Sequence, residues 1–269
     1  MATAVVVVGV VALQLHEGWP LVRAIGPLRF LTDEGWNPTE GRYGLRAMLG
    51  GTLLATLGAL LLAGPLGVLS AIFERYYAPV RIGVPYRRLV ESLAGVPSVV
   101  VGLWGLVTLV PIIARIHQPG ASLLAAIIVL ALMILPTVAL LSEASLRAVP
   151  HDYLTGAAAL GLSRSATIWR IALPTARPGI VAGVTLGAGR ALGETMAVLM
   201  VAGNVVQLPR TLFDPIRTLT ANVALEMPYA QGLHRSALFV SGLALSLGVV
   251  LFLLAAELVQ RASPERARG

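Results

Sequence analysis

The sequence predicts an all-α integral membrane protein of about six transmembrane helices, and three observations carry that prediction. Of 269 residues, 57% are hydrophobic and 12% charged, and the mean hydropathy is +0.82, far above what a water-soluble domain needs to fill its core. Several charge-free runs reach the roughly 20 apolar residues a helix needs to cross the hydrocarbon layer at about 1.5 Å per residue. The arginines mostly sit in short gaps between those runs, a pattern of membrane flanks rather than of a nucleic-acid surface.

Taken in order, a first apolar run, 3–15, is short; it either continues past His16 and Glu17 through Trp19 to Val22 or starts further upstream. A cleaved leader is disfavoured, because no basic segment precedes the run and no small-x-small site follows it. Spans are expected at 47–73, 92–114, 116–142 and 236–256. A further one, 178–206, carries Arg190 and Glu194 near its middle. The chain therefore divides into a first helix with an outer loop (1–46), a transmembrane domain (47–260) with a cytoplasmic loop at 143–177, and a tail (261–269). With both termini in the cytoplasm, eleven arginines fall on the inner side and eight on the outer, a bias in the expected direction. The segment 26–44, rich in turn formers such as Asn37-Pro38, should form a structured outer loop.

All twenty basic residues are arginine, and there is no lysine and no cysteine. A G-x-x-x-x-G-K-[ST] phosphate loop is therefore impossible, and nucleotide hydrolysis would belong to another polypeptide. Disulfides and thiolate sites are excluded. The four histidines are scattered without metal-ligand spacing, no G-x-S-x-G occurs, and no cofactor is expected in this chain. Glu91, Glu143 and Glu257 fall at span edges, where solvated anchoring is expected, and Gly95-Val96-Pro97-Ser98 fits either a kink or a flexible gate.

Between the fourth and fifth spans the segment 150–174 reads as two short helices. Asp152 is expected to cap the first and Gly161 to end it in a left-handed conformation; Ser163 should cap the second, and Pro174 should interrupt it. Gly156, Ala157, Ala158 and Ala159 leave the first helix little bulk, which suits either close approach by another surface or an ordinary interfacial connection. In the fifth span Arg190 and Glu194 stand at i and i+4, so they are expected to neutralise each other, with Gly183, Gly187, Gly189 and Gly193 turning them inward. Two roles fit: a buried pair fixing helix register, or a polar path in which the Arg190 guanidinium meets a passing oxyanion.

Gly161, nine residues, then Ile171-Ala172-Leu173-Pro174 resembles the second half of the EAA loop of ABC importer permeases. Segments Glu91 to Gly105, Gly189 to Val198, Gly232 to Phe239, and the Trp36-Asn37-Pro38 and Gly41-Arg42-Tyr43-Gly44 pair look like the PstC family of phosphate permeases, over nearly the whole chain. The resemblance implies a type I ABC importer permease (MetI-like) core, phosphate as cargo, and no enzymatic activity of its own. It also implies a PstA-like second permease, a PstB-like ATPase dimer and a PstS-like phosphate-binding protein as partners. Thr155, Gly156, Ala157, Gly161 and Pro174 would take the ATPase-coupling role, with Thr155 where the family has glutamate, and Arg190, Glu194 and Thr195 would line the substrate path. Permeases for phosphonate, sulfate or molybdate, and a self-sufficient secondary transporter, are the alternatives.

Overall fold

The computed structural model describes residues 2–33 and 35–262, and the tail expected at 261–269 lies almost wholly outside them. In chain order the helices are α1 (Ala2–Ile25), α2 (Pro27–Thr32), α3 (Arg46–Ile72), α4 (Val80–Ala94), α5 (Ser98–Trp104), α6 (Val110–Ala114) and α7 (Leu123–Arg147). They continue with α8 (His151–Ala159), α9 (Arg164–Thr167), α10 (Leu173–Gly193), α11 (Met196–Val201), α12 (Leu219–Glu226) and α13 (Gly232–Ala262). A two-residue hairpin of β1 (Trp36–Asn37) and β2 (Arg42–Tyr43) pairs Trp36 with Tyr43. Five helical stretches are long and apolar enough to cross a membrane, and a sixth counts if the broken pair α4 and Ser98–Ala114 is one span.

The first helix runs past His16 and Glu17 because those charges do not end it: Glu17 lies 3.9 Å from Arg235, and the Arg23 guanidinium sits 5.2 Å over the Trp19 ring. The span expected to begin at 92 begins instead at Ser98, since Ser92 to Ala94 finish α4 and Pro97 bars a continuous helix. The span expected at 116–142 is shifted to Leu123–Arg147, so Glu143 is inside the helix rather than at a solvated edge.

Three π-helical turns share one sequence position. Phe73–Tyr77, Gly105–Leu109 and Ile168–Ala172 each end two residues before a proline: Pro79, Pro111 and Pro174. In each, the residue just before the proline donates its N–H five residues back: Ala78 to Phe73, Val110 to Gly105 and Leu173 to Ile168. Proline has no N–H and its ring clashes with the carbonyl four residues earlier. At Pro111 and Pro174 the widened turn absorbs that misfit without ending the helix, whereas at Ala78 the chain turns extended and the helix ends before Pro79. Pro174 therefore does not terminate the second loop helix as expected; a continuous helix runs from Arg164 to Gly193.

Contacts cluster into two units, each discontinuous in sequence. One comprises Met1–Thr56, Ser98–Leu130 and Leu192–Phe252, the other Leu57–Pro97, Ala131–Ala191 and Leu253–Gly269. The first is organised around Leu21, Phe30, Trp36, Tyr43, Met48, Leu219 and Leu238, with α5 lying close along α11. Gly102 makes that approach possible: a Cβ there would stand 2.7 Å from the Ala197 Cα. The second is built on Ile72, Leu146, Val149, Ile168, Ala172 and Ala176. In it Gly183 and Gly187 of α10 form a seam on α7, where added Cβ atoms would fall 2.9 Å from the Leu141 Cβ and 3.2 Å from a Val138 methyl.

Because the atom facing Gly102 is backbone, Gly102→Val cannot be relieved by a rotamer change. We expect it to destabilise the purified protein by about 1–3 kcal/mol through overpacking, read as a lowered thermal midpoint in detergent; Gly64→Val, which meets nothing within 4 Å, should leave the midpoint in place.

Candidate functional site

The cytoplasmic loop expected to dock a partner is built as a capped helix on a long lever. Helix α8 ends in a paired motif: Gly161 N–H donates to Ala158 O at 3.0 Å and Leu162 N–H to Ala157 O at 3.1 Å, while Gly161 adopts φ +75°. That conformation strains any residue with a Cβ, which is why glycine stands here. Ser163 Oγ accepts the Ala166 N–H at 3.2 Å and starts the next helix, as expected. Asp152 does not cap α8. The N-cap is Pro150, with no side-chain cap bond, and Asp152 lies within the first turn, where its charge still favours the helix dipole.

Helix α8 holds to its unit by Leu154 and the buried Ala157. Its other face is open: Tyr153, Thr155, Gly156 and Leu160 are exposed, and a Cβ on Gly156 would meet nothing within 4 Å. From Arg164, whose guanidinium lies 5.0 Å over the Tyr77 ring, the chain runs as one helix to Gly193. Thirty residues at 1.5 Å each make a rod of about 45 Å.

At the end of that rod the expected i, i+4 pair is absent. Helix α10 stops at Gly193, so Glu194 and Thr195 stand outside it, and no ion pair joins Arg190 to Glu194 among the described residues. Glu194 Oε1 instead accepts the Ala197 N–H at 3.2 Å, capping α11, and its carbonyl accepts the Thr220 hydroxyl at 2.8 Å. Thr195 is the N-cap residue, with its hydroxyl 3.4 Å from Gly193 O. Nor are the charges turned inward by all four glycines. Gly183 and Gly187 make the seam on α7, Gly189 and Gly193 face open space, and Arg190 is exposed in this chain.

Two charge clusters went unread in the sequence. In one, the buried Glu226 accepts from Trp36 Nε1 at 2.7 Å and from Arg217 Nη1 at 2.8 Å, and His234 Nε2 lies 2.8 Å away. Arg217 also donates to Asn204 O and Asn222 Oδ1. In the other, Glu143, 1% exposed, accepts from Arg87 Nη1 at 2.8 Å and Arg147 Nε at 2.9 Å. Its i, i+4 relation to Arg147 was a legible signal; the contact with Arg87, 56 residues away, was not. In the loop 210–214 the Asp214 carboxyl is held below the usual carboxylate range by hydrogen bonds from the Thr211 and Arg210 amides. Among the described residues no group of three His, Asp or Glu is placed to hold a metal ion.

The family profile described as "Binding-protein-dependent transport system inner membrane component" matches residues 63–269. The chain is 36% identical over 272 residues to the phosphate transport system permease protein PstC of Mesorhizobium japonicum, covering 93% of this chain and 81% of that protein. It is 39% identical over 240 residues to the probable ABC transporter permease protein YqgH of Bacillus subtilis, covering 87% and 78%. Among solved structures, an inward-facing MetNI methionine ABC transporter superposes with TM-score 0.61 at 20% identity, over 81% of this chain and 94% of that one. A bacterial ABC transporter importing alginate superposes with TM-score 0.62 at 15% identity, over 90% and 89%.

Glu226 satisfies three donors at once, so removing it should strand buried polar groups. Glu226→Ala is expected to lower stability by about 3–5 kcal/mol, whereas Glu226→Gln, which keeps an acceptor, should cost less. Denaturant unfolding followed by intrinsic tryptophan fluorescence checks the order of the two variants.

Proposed function

The chain belongs to the family of binding-protein-dependent transport system inner membrane components, and on that premise we propose that it is one of two membrane-spanning subunits of an ATP-driven importer of inorganic phosphate. It has the helical core of ABC importer permeases and is a multi-pass membrane component. The observation that carries the cargo is the similarity to PstC permeases of several bacteria, at 33–36% identity over most of the chain. The partners on this reading are a PstA-like permease, a PstB-like ATPase pair and a PstS-like binding protein. Both termini and α8 lie on the cytoplasmic side, and the hairpin Trp36 to Tyr43 on the outer side.

The geometry gives this reading a mechanism. Thr155 and Gly156 on α8, with Gly161 closing it, form the small-residue surface that an ATPase cleft reaches closely, whereas Ala157, expected to share that role, is buried against its own unit. The core shared by Leu154, Ile168, Ala172 and Ala176 passes displacement of α8 to the continuous helix Arg164–Gly193. Pro174 and its π turn keep that helix unbroken where the loop enters the span. At the far end of the rod stands Arg190, whose planar fork of donors suits a tetrahedral oxyanion, followed by the helix break at Glu194 and Thr195. One guanidinium on an open face makes a weak, transient contact, which transport requires, because a tight site would retain its cargo.

Reconstitution of the chain with its permease, ATPase and binding-protein partners should give ATP-dependent uptake of labelled phosphate into vesicles. Uptake without the ATPase, or a preference for sulfate, molybdate or a phosphonate, overturns the proposal. Arg190→Gln should cut uptake at least tenfold while the complex still assembles and hydrolyses ATP; wild-type uptake would remove Arg190 from the path.

A further inference from the structure

Helix α4 is strongly amphipathic; it follows the span Arg46–Tyr77 and meets the apolar helix Ser98–Ala114 at a bend of 95°. One face is fully used inside its own unit. Val90 is buried, the Tyr86 hydroxyl is 2.7 Å from Ser70 Oγ, and Arg87 reaches Glu74 at 3.5 Å and Glu91 and Glu143 at 2.8 Å each. The remaining surface is unpartnered and of two kinds. Ile82, Leu89 and Leu93 are each half or more exposed and, at 100° per residue, fall on one stripe. Arg81 and Arg88, seven apart, form a second row beside it, and Arg75 stands just upstream. All three guanidiniums are exposed, and no carboxylate pairs with them among the described residues, in contrast to Arg87.

We propose that α4 is an in-plane interfacial helix whose Arg75, Arg81 and Arg88 bind the headgroups of anionic lipids while Ile82, Leu89 and Leu93 enter the acyl boundary. An apolar stripe alone would suit a protein or a bilayer. A row of unpaired arginines flanking it selects a negatively charged surface, and the 95° bend between α4 and the apolar helix Ser98–Ala114 suits an α4 that lies along the membrane plane when Ser98–Ala114 enters it. The long arginine stems let the charges rise to headgroup level above buried apolar neighbours. Arg87, neutralised by three carboxylates, then serves to orient the helix rather than to bind lipid.

Because the chain has no cysteine, Leu89→Cys gives a single site for a spin label. In the assembled complex in nanodiscs, the label should be relaxed by oxygen and shielded from a water-soluble paramagnetic reagent. Shielding from both would mean that protein covers the stripe, and access by the water-soluble reagent that it faces solvent; either result overturns the proposal. In nanodiscs of phosphatidylcholine with phosphatidylglycerol, native mass spectrometry should show preferential retention of phosphatidylglycerol. The combined Arg75→Gln, Arg81→Gln and Arg88→Gln variant should lower that preference by on the order of a hundredfold at low salt, about fivefold per arginine. Arg42→Gln on the hairpin should leave it unchanged, and excess inorganic phosphate should not displace the lipid. An undiminished preference in the triple variant would overturn the assignment.

Discussion

Backbone amides and carbonyls inside a hydrocarbon layer find no water, so every interruption of a spanning helix has to be repaired by the chain itself. Much of this structure is such repair. At each of the three prolines the N–H of the preceding residue reaches five residues back, so the turn is widened rather than left open. At the break after Gly193 the repair comes from side chains: the Glu194 carboxylate takes the Ala197 amide, and Thr220 satisfies the Glu194 carbonyl. The α8 end is closed by backbone alone, through the left-handed Gly161.

Charge obeys the same rule. Glu226 and Glu143 are buried, and each is surrounded by donors from distant segments, so that burial does not leave an isolated ion. Such clusters act as joints. Glu226 ties the hairpin at Trp36 to the start of α13 at His234, and Glu143 ties α4 to α7. Among the described residues, Arg190 past the glycine seam and the arginine row of α4 are exposed instead, with no carboxylate paired to them.

What the sequence made legible was whatever is encoded within one or two turns. The apolar runs mark the long helices, and Gly161 and Ser163 mark the end of one loop helix and the start of the next. Pro174 misled, because proline normally ends a helix and the compensating π turn has no residue signature of its own. Glu194 misled for the opposite reason: nothing in Gly193-Glu194-Thr195 forbids a helix, and the break is held by Thr220, 26 residues away. The bond from Trp36 to Glu226 spans 190 residues, beyond any periodicity. Helix α4 was masked by its arginines, which read as a cytoplasmic gap, although its alternation of Ile82, Leu89 and Leu93 with Arg81 and Arg88 is a helical pattern.

A π turn contains one residue more than the α turn it replaces, and one residue is about 100° of helical rotation. The turn at Ile168–Ala172 therefore sets the azimuth of everything that follows it in the helix to Gly193. Gly183 and Gly187 meet α7, and Arg190 points where it does, because a residue is accommodated out of phase some fifteen positions earlier. The proline at the mouth of the span thus works as an indexing device: it fixes the angular setting of the helix, and with it the direction in which Arg190 faces.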